Sequence, residues 1–226
     1  MAEIRFEGAG VTVGDRTILA PTDLVLTEQR IAVVGGNGSG KSTLARLING
    51  LVEPTVGRVS VDGLDTARQG GQVRRKVGFC FTDPAAQLVM PTCVEDVELS
   101  LRQRIADRAE RRRAALATLT RFGLEDRAEV SVHALSGGQR QLLALAGVLA
   151  VEPDVLVADE PTTLLDLANT RLVGDLLLSL PQQLVLVTHD LELAARCERA
   201  IVVEDGRIRY DGPARDAVAD YVGSVV

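Results

Sequence analysis

Short apolar runs alternate along the chain with longer amphipathic ones. RIAVV at 30–34, DVLVAD at 154–159 and QLVLVTH at 183–189 lack polar alternation, as strands covered on both faces do. Strands are expected at 3–7, 24–27, 31–34, 58–61, 77–81, 155–158, 184–188, 200–203 and 207–210. Helices are expected at 42–49, 94–104, 108–122, 138–151, 166–178 and 191–197. Alternation of the two predicts right-handed crossovers and a mostly parallel sheet, an α/β fold. Residues 83–132 break the pattern: they are helical, Arg-rich and free of strand signals, and read as a helical lobe inserted into a core of 1–82 and 133–226. The whole reads as a single domain.

Composition narrows the class. The chain has 226 residues, 46% of them hydrophobic, enough for one good core. The longest apolar run, 142–151, is too short and too rich in Gly and Ala to cross a bilayer. The opening MAEIRFEG lacks the basic-then-apolar layout of a signal peptide, so a cytoplasmic protein is expected. A net charge of −6 and 3% aromatics argue against a nucleic-acid partner. Cys80, Cys93 and Cys197 are scattered and form no CxxC, which suits reduced thiols better than a disulfide or zinc site. Only two lysines occur, and Lys41 sits in the most glycine-rich stretch.

That stretch, GGNGSGKS at 35–42, follows a strand and opens a helix, and so fits the phosphate-loop pattern in its required context. Its glycines allow Gly36, Asn37, Gly38, Ser39, Gly40 and Thr43 to turn backbone N–H groups toward an anion at a helix N-terminus. Lys41 would reach the β- and γ-phosphates, and Ser42 would ligate Mg²⁺. VLVADE at 155–160 delivers Asp159 and Glu160 at a strand's carboxyl end, where open α/β sheets bind ligands. Asp159 is suited to the Mg²⁺ shell, and Glu160 to polarising a water for in-line attack. His189 ends a second buried strand and should emerge at the same edge; His133 has no such placement and reads as structural.

GGNGSGKST, LSGGQRQ, VLVADEPT with LLD, and VTHD stand in one order over nearly the whole chain. Together they resemble the ATP-binding-cassette ATPases. The resemblance implies a P-loop nucleotide-hydrolase core carrying an antiparallel β subdomain and an inserted helical subdomain, with ATP and Mg²⁺ as cofactors. It also implies a head-to-tail dimer, in which Ser136, Gly137, Gly138 and Gln139 of one subunit cover the ATP held by the phosphate loop of the other. Asp166 would couple the two sites. VGFCFTDPAAQLVMPTCVEDVELSL resembles the corresponding stretch of energy-coupling-factor ATPases, which energise vitamin and metal-ion uptake. That subgroup implies a transmembrane coupling subunit and a separate substrate-capture subunit at the cytoplasmic face of the membrane. The same resemblance implies biotin as the preferred substrate, cobalt or nickel as the next, and substrate choice in another polypeptide.

Several positions depart from the family pattern. Thr82 stands where a Gln is expected to touch Mg²⁺ and the attacking water. Gln87, five residues on, is no evident substitute. Val11 and Val13 occupy the segment where an aromatic side chain usually stacks on adenine, which predicts loose nucleotide selectivity. Leu164 replaces a customary Gly. The chain lacks the longer tail of some coupling-factor ATPases, which predicts weak dimerisation without ATP or membrane partners. A solvated face is expected at Arg108–Arg113 and at Glu95, Asp96 and Glu98. Two competing functions are a non-transport cassette ATPase of DNA repair or translation, and an accessory protein that holds ATP without turnover. The negative charge and short lobe weigh against the first, and Glu160 with His189 against the second.

Overall fold

The computed structural model describes residues 1–225. In chain order the strands are β1 (Ile4–Val13), β2 (Arg16–Leu26), β3 (Arg30–Val34), β4 (Val56–Val61), β5 (Leu64–Asp65), β6 (Val77–Cys80), β7 (Val155–Asp159), β8 (Gln183–Val187), β9 (Arg199–Glu204) and β10 (Arg207–Pro213). The helices are α1 (Lys41–Ile48), α2 (Gly70–Lys76), α3 (Cys93–Leu101), α4 (Arg108–Arg121), α5 (Gly137–Leu149), α6 (Leu167–Ser179), α7 (Leu191–Ala194) and α8 (Ala214–Val225). The chain divides into two compact units. One comprises Met1–Phe79, Asp154–Glu160 and the residues from Leu177 onward; the other comprises Cys80–Pro153 and Pro161–Leu176.

The first unit holds both sheets. Six strands run in the order β10-β9-β3-β8-β7-β6, with β3 parallel to β8 and β9, and β7 parallel to β8. Every residue of β7 and β8 is buried, which is why these runs show no alternation. The smaller sheet, β2-β1-β4-β5, is antiparallel in every pairing. Strands β1 and β2 are much longer than the expected 3–7 and 24–27. Their inner halves contain Gly8, Gly10, Thr17 and Pro21, which read locally as loop; pairing with each other, through several register shifts, makes them strand. Pro21 is tolerated because β2 lies at the sheet's edge. Gly57 is required where β4 passes β1: at φ +68 its added Cβ would lie 2.1 Å from the Gly8 carbonyl oxygen.

The second unit is helical. It takes in α3, α4, α5 and most of α6, and α3 packs against both α4 and α5. Asp96 holds its loop together: buried on α3, it accepts hydrogen bonds from the N–H groups of Val89 (2.9 Å) and Met90 (3.0 Å). Glu95 closes a capping box with Thr92, and Glu98 pairs with Arg112. The three acidic residues expected on a solvated face are therefore spent inside the unit. Helices α2 and α8 were not expected; α2 opens with two glycines, a start that reads as a turn.

Candidate functional site

Strand β3 ends at Val34 and the chain turns through Gly35–Gly40 into α1. Gly35 (φ +146) passes so close to β9 that an added Cβ would lie 2.1 Å from the Val203 carbonyl oxygen. Gly40 (φ +105) has the Ile18 carbonyl oxygen of β2 at 2.7 Å from the same virtual atom. These two glycines seat the loop against its neighbours. At Gly36 and Gly38 nothing lies within 4 Å, so those positions face open space. Helix α1 begins with no side-chain cap, which leaves its first N–H groups for an external anion.

Lys41 is buried, and its Nζ donates to the carbonyl oxygens of Gly35 and Gly36, each at 2.8 Å. Burial pulls the ammonium's pKa below its ordinary value, opposed by the nearby Glu160 and Asp159 carboxylates. Ser42 Oγ donates to Asp159 Oδ1 at 2.8 Å, and Asp159 is wholly buried. Arg46 Nη2 reaches Asp159 Oδ2 at 3.3 Å. Sequence reasoning missed Arg46, although its i+4 spacing from Ser42 on α1 puts the two on one helix face.

Glu160 follows β7 in a left-handed conformation (φ +54) that side-chain-bearing residues rarely adopt. Its N–H donates to the Val187 carbonyl at 2.9 Å, which holds the turn. Glu160 Oε2 lies 2.6 Å from His189 Nδ1. The imidazole is exposed and the carboxylate largely covered, so one face of the pair meets solvent. Asp190 caps α7 just beyond, accepting from Leu193 N–H at 3.0 Å. Lys41, Ser42, Asp159, Glu160 and His189 thus belong to one unit and form a linked cluster at the carboxyl ends of β3, β7 and β8. Val11 is buried in the β1–β2 hairpin, whereas Val13 near its tip is 65% exposed.

The remaining predicted residues lie in the other unit. Ser136 caps α5: its Oγ accepts from Gln139 N–H (3.3 Å), while Gln139 Oε1 accepts from Ser136 N–H (3.0 Å). The cap leaves the N–H groups of Gly137 and Gly138 at the helix start. Asp166 Oδ1 accepts from Asn169 N–H at 2.8 Å, opening α6. Thr82 follows β6, half-buried. Gln87 is structural: its amide accepts from Phe81 N–H at 3.3 Å and donates to the Ala144 carbonyl at 3.2 Å. His133 is exposed in a short 3₁₀ turn. Among the described residues no cluster of three or more His, Cys, Asp or Glu could hold a metal, and no helix is long and apolar enough to cross a membrane.

The fold and loop define a P-loop nucleoside triphosphatase. A family profile for ABC transporters matches residues 24–163. A Rhizobium etli protein described as biotin transport ATP-binding protein BioM is 46% identical over 218 residues, 96% of this chain and 97% of the relative. CbiO1 of Clostridium perfringens, described as part of the ABC transporter complex cbiONQ, superposes with a TM-score of 0.84 at 30% identity, covering 99% of this chain and 93% of that one. The ATP-binding cassette MJ0796, solved as a dimer in a post-hydrolysis state with ADP and phosphate, superposes with a TM-score of 0.82 at 31% identity over 94% and 99% of the two chains. The chain belongs to the ATP-binding subunits of ABC transporters. It binds ATP and hydrolyses it to drive transport.

Proposed function

We propose that this chain is the ATPase of an energy-coupling-factor-type importer, with biotin as the preferred substrate class and cobalt or nickel next. The chain would work as a homodimer on the cytoplasmic face of a membrane, beside a transmembrane coupling subunit and a substrate-capture subunit. The near-full-length likeness to a biotin transport ATP-binding protein supports the substrate, and the likeness to CbiO1 supports the assembly.

The observation that carries the mechanism is the helix start at Ser136–Gly138. It is capped yet retains N–H donors that suit an anion supplied from outside its own unit. In the proposed dimer, Gly36–Thr43 of one subunit cradles the phosphates, and Ser136, Gly137, Gly138 and Gln139 of the other close over the γ-phosphate. Lys41 would exchange its two carbonyl partners for phosphate oxygens. Ser42 and buried Asp159 present two hard oxygens 2.8 Å apart, a donor set that suits Mg²⁺ with phosphate and water filling its shell. When bound, the ion would offset phosphate charge. Glu160 accepts a proton from the attacking water as the new P–O bond forms and the β–γ bridge breaks, yielding ADP and phosphate. His189 orients that carboxylate through Nδ1 and turns its exposed edge toward the γ-phosphate.

Reconstitution tests the transport reading. Vesicles carrying the full complex should take up labelled biotin when ATP is supplied on this subunit's side. Uptake of cobalt or nickel without biotin would move the assignment to the metal-ion importers.

A further inference from the structure

Asn169, in the first turn of α6, joins the two segments of the second unit that the proposed dimer uses. Its side-chain Nδ2 donates to Asp166 Oδ1 at 3.0 Å, and its backbone N–H donates to the same oxygen at 2.8 Å. The opposite side of the amide lies against the start of α5. A Cβ added at Gly138 would fall 2.3 Å from Asn169 Oδ1, 2.5 Å from Cγ and 3.0 Å from Nδ2. No Cβ fits there unless the amide moves, and the amide is short and tied to Asp166 at its other end. Gly138 is buried, so the contact is closed to solvent.

We infer that Asn169 is a positioning residue that locks the Asp166 carboxylate to the Ser136–Gly138 helix start, so that the two meet a partner subunit as one rigid piece. A helix cap needs only the backbone bond. The second donor on the same oxygen restrains the carboxylate of an exposed residue and leaves Oδ2 outside this pair of bonds. It also gives Gly138 a reason to be glycine besides close approach to a phosphate: the amide fills the space that a side chain would need. The inference rests on the head-to-tail dimer proposed above.

The test uses the full chain carrying Glu160→Gln, which slows hydrolysis, with ATP-dependent dimerisation followed by sedimentation. Asn169→Ala, and the near-isosteric Asn169→Asp, which swaps the donor for a like charge, should each weaken dimerisation about tenfold, the cost of ordering a freed side chain on association. The monomer's ATP affinity should stay that of the parent and its melting temperature should fall only by what one hydrogen bond within the second unit costs, whereas a merely structural role would leave the dimerisation of the folded monomer unchanged. Gly138→Ala should weaken the dimer alone but add little to Asn169→Ala, because the obstacle is then gone. An Asn169→Asp variant that dimerises like its parent, or additive effects of the two alanine changes, would overturn the inference. Ser136→Glu separates the two ideas. If it abolishes dimerisation while the Asn169 variants do not, only the role of Asn169 fails. If it is harmless, or the parent never dimerises with ATP, the head-to-tail reading fails and takes this inference with it.

Discussion

Glu160 combines an uncommon backbone conformation with a short contact to His189, and both restrain one carboxylate. Glu160→Gln keeps the shape and removes the proposed proton acceptor, so kcat should fall on the order of 10²–10⁴-fold while ATP binding persists, measured by turnover alongside nucleotide titration. Thr82 calls for the opposite expectation. Gln87 is fully engaged between Phe81 and Ala144 and supplies nothing in its place, so the Thr hydroxyl is the polar group at that position. Thr82→Gln should retain hydrolysis; a folded but inactive variant would mean the Thr is specifically required. Val13, not Val11, is the exposed aliphatic residue on the hairpin beside the phosphate loop. Without an aromatic face, base stacking worth on the order of 1 kcal/mol is missing, and the loose selectivity expected of this hairpin predicts GTP turnover approaching that of ATP. A strong ATP preference in the same assay would contradict this.

Between α6 and β8, one side chain organises a whole connection. Arg30, at the start of β3, donates to the carbonyl oxygens of Leu178 (3.0 Å), Gln182 (2.8 Å) and Gln29 (2.9 Å), and also to that of Leu180. Arg30→Met would leave those acceptors without their charged donor, and the chain should lose about 3 kcal/mol of stability in a urea melt. Elements also explain the cysteines. All three are buried, and burial pushes the Cys197 thiol up to about 12. Thiolate is the reactive form, so at pH 8 the native protein should resist a thiol reagent and the unfolded chain should react at all three sites. At this scale the sequence was readable where packing and propensity agree, as in β3, β7, β8, α1 and α5. It was not readable in β1 and β2, whose glycine- and proline-bearing halves become strand only by pairing. It also misled at Asp96, whose carboxylate looks solvated in the string and is buried under its own loop.

For the molecule as a whole, the decisive property is that the residues proposed to act fall into two sets on two units, the phosphate-loop cluster on one and the Ser136–Asp166 set on the other. Mixing offers a direct check on the proposed dimer. Lys41→Ala and Ser136→Glu should each be inactive alone, yet together should regain ATPase activity, because a mixed pair carries one intact loop facing one intact helix start. A mixture as inactive as its components would argue that each chain acts by itself. The sequence alone determined the family, the order of its motifs and the chemistry of the phosphate loop, because these depend on residue identity at short spacing along one strand–loop–helix. It could not determine that Asp159 is held between Ser42 and Arg46, that Glu160 leans on His189, or that Asn169 fills the space beside Gly138. Those contacts join residues distant along the chain or on neighbouring elements, and only the packing of strand ends and helix starts brings them within hydrogen-bond reach.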